Sequence, residues 1–157
     1  MIKTFFVPLL IGLALSNVFG AGPETIPMDG LKTFSAQAAY REYLQSLNET
    51  YGEYNHETLK RHPEITDSIL RVKPDFKKKD IATAFPNVFF KTKDGRMLLI
   101  LRGCTPHDCA GTVHIIAYDT LARKAYVLRE KYDREAVQIY GTPDQTVRQV
   151  MINVYLE

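Results

Sequence analysis

Val88-Phe89-Phe90-Lys91-Thr92-Lys93-Asp94-Gly95-Arg96-Met97-Leu98-Leu99-Ile100-Leu101 decides the fold class. Two apolar runs rich in β-forming residues flank Asp94-Gly95, a pair that reaches the positive φ of a tight turn cheaply, so the stretch predicts a β-hairpin. Downstream, residues 112–118, 124–129 and about 136–140 read as three more strands, with a turn at 119–123. Every connection is too short for a parallel crossover, so the sheet is expected to be antiparallel.

Helices are expected at both ends of this meander. Upstream, Ala36, Ala39, Tyr40, Tyr43, Leu44 and Leu47 recur at helical spacing behind Ser35 as N-cap, and Gly52 stops the pattern. A weaker helix starts at Pro63, turns Ile65, Ile69 and Leu70 inward, and ends at Pro74. Residues 75–85 are ambiguous. Downstream, Thr142-Pro143-Asp144-Gln145 reads as a Thr N-cap, Pro at the first helical position and Gln three residues past the cap. Val147, Val150, Met151 and Val154 then form an apolar stripe. The fold class is α+β: an antiparallel sheet of about five strands with helices packed against it, and a disulfide-closed loop between two strands.

The chain has 157 residues, enough for one domain and too few for two ordinary ones. Its first residues differ from the rest. Lys3 precedes an almost uncharged apolar run from Thr4 to Val18, and Gly20, Ala21 and Gly22 follow. This predicts a cleaved signal peptide over residues 1–20 and a single domain over 21–157. Pro8, Asn17 and the shortness of the run argue against a membrane span. Residues 21–31, rich in Gly and Pro, read as a loose lead-in.

Cleavage removes Lys3, and the formal charge falls from +2 to +1. A near-neutral chain gives no electrostatic reason to expect nucleic acid. The basic cluster of residues 71–79 is interrupted by Asp75, adjoins Asp80, and reads as a solvated surface segment. No cofactor is called for, and once the leader is gone no membrane contact is expected. A homodimer and a monomer are equally compatible with the sequence.

The chemistry concentrates in Gly103-Cys104-Thr105-Pro106-His107-Asp108-Cys109-Ala110-Gly111, between two strands. In an exported protein two cysteines favour a disulfide, and Cys104 can pair only with Cys109. So short a loop gains about 2 kcal/mol from closure. Its larger effect is to fix the path of Thr105, Pro106, His107 and Asp108, with Pro106 removing freedom beside His107. Three other readings stand beside a binding loop. Zinc on Cys104, His107, Cys109 and Asp108 would need ligands unusually close in sequence. A redox pair would need a narrower gap and a thioredoxin-like surround, neither of which is present. The bridge could also simply staple a hairpin, with His107 incidental. An enzyme using His107 and Asp108 lacks a separate nucleophile or second carboxylate pair near the loop.

Cys104-Thr105-Pro106-His107-Asp108-Cys109 resembles the signature Cys-Lys-Pro-His-Asp-Cys of the Ivy family, the inhibitors of vertebrate lysozyme from Gram-negative bacteria, with Thr105 at the lysine position. The leader, early helix, loop between strands and Gly-Thr-Pro-Asp start of a last helix are similar to that family too. The resemblance implies a periplasmic protein whose loop enters the cleft of a C-type lysozyme, with His107 meeting the catalytic carboxylates. The alternative is the same fold bound to another cell-wall hydrolase, such as a lytic transglycosylase. Elsewhere, His114 shares a strand face with Ile116 and Tyr118 and reads as a packed or edge residue. His56 and His62 sit in polar segments, and Tyr118, Tyr126, Tyr132 and Tyr140 read as sheet packing.

Overall fold

The computed structural model describes residues 22–31, 52–131 and 135–157. The leader and the helix expected between Ser35 and Gly52 lie outside the described residues. Within them, strands β1 (Glu24–Pro27), β2 (Thr83–Ala84), β3 (Val88–Lys91), β4 (Met97–Cys104), β5 (His114–Asp119), β6 (Lys124–Glu130) and β7 (Ala136–Tyr140) form one antiparallel sheet. Its order is β1-β7-β6-β5-β4-β2, and β3 pairs with β4 along the half that β2 leaves open. Helices α1 (Asn55–Arg61), α2 (Pro63–Val72) and α3 (Gln145–Leu156) cover the sheet.

Five strands were expected, and each is present. The additional two have short or proline-bearing sequences. β1 occupies the stretch read as a loose lead-in and pairs Glu24 with Ile139 and Pro27 with Ala136. Proline is tolerated there because β1 is an edge strand with one side free of ladder bonds. Ile26 is buried beneath it, and Glu24 reaches Arg148 of α3 at 2.5 Å. β2 is two residues long, and the preceding Lys78–Ile81 forms a 3-10 turn, which together resolve the ambiguous segment.

Both sheet faces are buried, which explains why Leu98-Leu99-Ile100-Leu101 does not alternate with polar residues. Leu98 and Ile100 point to one face with Ile115, Ala117, Leu128, Val137 and Ile139, where α3 lays down Val147, Val150, Met151 and Val154. Leu99 and Leu101 point to the other with Ile116, Tyr118 and Val127, under Leu59 of α1 and Ile65 and Ile69 of α2. Leu70, expected inward, is exposed: it lies beside Ile69 but a hundred degrees around the helix. The last helix also starts later than expected. Asp144, not Thr142, is its N-cap, with Oδ1 accepting from Val147 N–H at 3.1 Å. Pro143 precedes the cap and is buried. Arg96 holds Asp144 from the β3–β4 turn (2.5 Å) and also pairs with Asp94 (2.6 Å), whose carboxyl it holds down at about 2.

Buried asparagines tie the helical layer to the end of the sheet that carries the cysteine loop. Asn55 Nδ2 donates to the carbonyls of Ile81 (3.0 Å) and Arg102 (3.1 Å), joining α1, the 3-10 turn and β4. Asn87 Nδ2 donates to Thr58 Oγ1 at 2.5 Å. Buried amides with such partners specify position as well as contributing stability. At the opposite end, Ser68 of α2 accepts from Ala125 N–H at 2.8 Å and donates to the Arg123 carbonyl at 3.4 Å.

Candidate functional site

β4 ends at Cys104 and β5 begins at His114, with Gly103 opposite His114, so the intervening residues project from the end of the two central strands. Cys104 and Cys109 are joined by a disulfide, with Cα atoms 5.0 Å apart. Cys104 is buried at the sheet and Cys109 is exposed. The bridge therefore anchors a projecting segment to a rigid strand end. A zinc site would need both sulfurs as thiolates, and here they are bonded to each other.

Inside the ring, Asp108 N–H donates to the Thr105 carbonyl at 3.0 Å, closing a four-residue turn. Pro106 occupies its second position and His107 its third, with φ 67°. Proline followed by a positive φ is the pattern of a type II turn, whose third position favours glycine. A histidine there costs about 1–2 kcal/mol of backbone strain. Pro106 and His107 are exposed, and Thr105 and Asp108 are half-buried. The turn thus sets an imidazole at the tip of the loop in a conformation that its own side chain disfavours.

A second brace lies at the neck. Thr112 Oγ1 accepts from Thr105 N–H at 3.2 Å and donates to the Asp108 carbonyl at 2.5 Å. One hydroxyl thereby replaces the ladder that β4 and β5 abandon here. Sequence reasoning passed over Thr112, because a threonine at a strand start is ordinary and its partners depend on the loop's path.

Gly103 carries a further requirement. A Cβ there would lie 2.8 Å from the Ile81 carbonyl oxygen and 2.9 Å from the Ile81 Cα. Only glycine lets the 3-10 turn press against β4 at the loop's root. Gly103→Ala is expected to lower stability by about 1–3 kcal/mol, the usual range for overpacking against backbone. Thermal unfolding of the variant measures this, and an unchanged midpoint would contradict the contact. Beside the root, Arg102 stacks over the exposed ring of Phe85 at 4.7 Å.

Of the other histidines, His114 is buried as expected, with Nδ1 2.9 Å from the Thr112 carbonyl. His56 is exposed; His62 is half-buried, with Nδ1 3.3 Å from Glu64. Tyr118 is buried and Tyr126 and Tyr140 are half-buried in the sheet, while Tyr132 lies outside the described residues. Among the described residues no group of three or more His, Cys, Asp or Glu side chains could hold a metal, and no helix is long and apolar enough to cross a membrane.

Fold and site together define an α+β domain that presents a rigid, histidine-tipped loop from the end of its sheet. The family model described as inhibitor of vertebrate lysozyme (Ivy) matches residues 73–151, half of the chain, and the chain belongs to the Ivy family. The match runs from the end of α2 into α3 and contains the whole loop. The family is one of lysozyme inhibitors. No curated protein and no solved structure matches the chain.

Proposed function

We propose that this protein is an exported, periplasmic inhibitor of C-type lysozyme, and that it acts by seating residues 104–109 in the active-site cleft. The observation that carries the reading is His107, exposed at a strained φ of 67° in a disulfide-closed turn of an Ivy-family chain. Strain persists where the surrounding structure imposes it, and a glycine would have removed it.

The chemistry fits the target. Lysozyme cleaves its glycan with one carboxyl raised to about pKa 6 and a second, ionised carboxylate. In retaining glycosidases these groups lie about 5–5.5 Å apart. An imidazole placed between them makes one hydrogen bond from each nitrogen, roughly 2.8 Å long. As imidazolium it donates to both, and charge-assisted bonds are the stronger kind. Because the loop is ordered before binding, little conformational entropy is lost on insertion. The inhibitor itself performs no catalytic step. Residues 1–20 serve as the export leader.

One feature favours a second target class. The mature chain is slightly basic, with a formal charge of +1 once Lys3 is removed with the leader. C-type lysozymes are strongly cationic, so long-range attraction between the two is weak and association slow. A less basic wall hydrolase, such as a lytic transglycosylase, meets no such barrier. The deciding experiment is lysis of a cell-wall suspension by a C-type lysozyme with the purified mature protein. Inhibition near stoichiometric concentration is expected. Lysis that continues at a large excess of the protein rejects C-type lysozyme as the target, and the same assay with a transglycosylase then tests the second class.

A further inference from the structure

A stable protein complex of standard size buries about 800 Å² on each partner and uses roughly 20–30 residues a side. The residues from Cys104 to Cys109 are too few to supply that. Surface around the root of the loop must therefore take part in any tight complex that the loop enters. The side chains that carry such contacts are mostly aromatic rings and arginines, packed where the partner excludes water.

β2 runs beside the end of β4 that bears the loop. Thr83 pairs with Cys104 and Ala84 with Gly103, and the Thr83 carbonyl oxygen lies 3.6 Å from Cys104 Sγ. Phe85 continues the ladder by one residue, its N–H donating to the Arg102 carbonyl at 3.2 Å. A strand residue spans about 3.3 Å, so Phe85 stands about 7 Å along the strand from the partner of the bridge's anchor. Its ring is 57% exposed. A single exposed apolar side chain is common and by itself indicates nothing. Leu121, 85% exposed in the turn between β5 and β6 at the far end of the sheet, is of that kind.

Phe85 differs from Leu121 in being held. The Arg102 guanidinium lies over the ring, 4.7 Å from its centre. Pro86 follows and favours an extended backbone at Phe85. The carbonyl that accepts from Phe85 also accepts from Asn55 Nδ2 at 3.1 Å, which ties the pair to α1. One side of the ring is thus covered by a cation while the residue stays open to a partner. A ring ordered in advance loses little entropy when it is buried. Its natural occupant is apolar surface beside the cleft that receives the loop, since clefts that bind small molecules are lined mainly by hydrophobic and aromatic side chains. Such a contact does not depend on opposite net charges.

We propose that Phe85 is a second anchor of the inhibitor, packing on apolar surface at the rim of the lysozyme cleft while His107 enters it, with Arg102 as the positioning residue that holds the ring. This second contact rests on the lysozyme reading and lies outside the cysteine loop.

The test measures inhibition and dissociation rates with a C-type lysozyme for the mature protein, Phe85→Ala, Phe85→Tyr, Arg102→Ala, the Phe85→Ala and Arg102→Ala pair, and Leu121→Ala. Phe85→Ala is expected to weaken inhibition about tenfold or more, chiefly through faster dissociation, with an unchanged unfolding midpoint. Phe85→Tyr keeps a flat ring and is expected within about threefold of the parent, and Leu121→Ala should match the parent. Arg102→Ala is expected to cost about threefold alone and nothing further in the Phe85→Ala background, because its effect passes through the ring. If the parent inhibits and Phe85→Ala inhibits equally well, the second anchor is overturned and the lysozyme reading stands. Losses at Phe85 and Arg102 that simply add overturn the positioning role. A loss at Leu121 as large as that at Phe85 overturns the placement of the contact beside the loop. A parent that does not inhibit defeats the lysozyme reading, and the second anchor falls with it.

Discussion

His107→Ala is expected to fold, keep the Cys104–Cys109 bond and lose inhibition of C-type lysozyme by about 100-fold or more, near 3 kcal/mol. The size follows from the position. His107 is the exposed tip of a narrow loop, so it reaches deepest into any cleft the loop enters, and anchors of this kind carry most of an interface's binding energy. In the proposed complex, truncation would also leave the facing carboxylates without a donor in a desolvated site, which adds to the loss. His107→Gly separates function from fold. Glycine accepts φ 67° without strain, which offsets its greater freedom in the unfolded chain, so stability is expected at or slightly above that of the parent. Inhibition should still collapse. Lysis kinetics and thermal unfolding on the same samples make the comparison. An alanine variant that inhibits like the parent removes His107 from the mechanism. A glycine variant that is clearly less stable removes the strain argument.

The hairpin at Asp94-Gly95 and the three later strands were legible because their apolar runs are bounded by strong turn residues. β7, Ala136–Tyr140, was placed to the residue. What escaped was short or depended on tertiary partners. β1 has a proline, and its strand character comes from pairing with β7 rather than from its own composition. α1, Asn55–Arg61, holds only three buried positions, Asn55, Thr58 and Leu59, two of them polar. Periodicity of hydrophobic residues cannot reveal a helix whose buried face is mostly amide and hydroxyl. At α3, both Thr142 and Asp144 are good capping residues, and the backbone chose the one that Arg96 also binds.

The loop was legible as a motif, and its two cysteines had a single pairing. Its mechanics were not. The positive φ of His107 follows from the Thr105–Asp108 turn, which sequence suggests only weakly because the third turn position usually announces itself with glycine or asparagine. Thr112 and Gly103 gain meaning from what they touch, the loop neck and the Ile81 backbone.

Removing the bridge with Cys104→Ser and Cys109→Ser together is expected to lower stability by about 2 kcal/mol, a modest amount because only a short loop is released from closure. Inhibition should fall further than stability alone suggests, by about tenfold or more at temperatures where the variant stays folded. On the proposed mechanism the parent would bind with its loop already held by the bridge and the turn. The variant must order Thr105 to Asp108 on binding, at a backbone entropy cost of about 1–2 kcal/mol for each residue that has become free. Thr112 limits that number, since its hydroxyl still spans Thr105 and Asp108 without any help from the sulfurs. The loss should therefore stop well short of the effect of His107→Ala, and Thr112→Val added to the serine pair should deepen it. Inhibition constants for the parent, the serine pair and the triple variant test this order, with unfolding midpoints as the control. If the serine pair inhibits as well as the parent, the turn and the threonine brace are sufficient to hold His107. If it loses as much as His107→Ala, the bridge sets the tip's geometry outright, and Thr112 has little part in it.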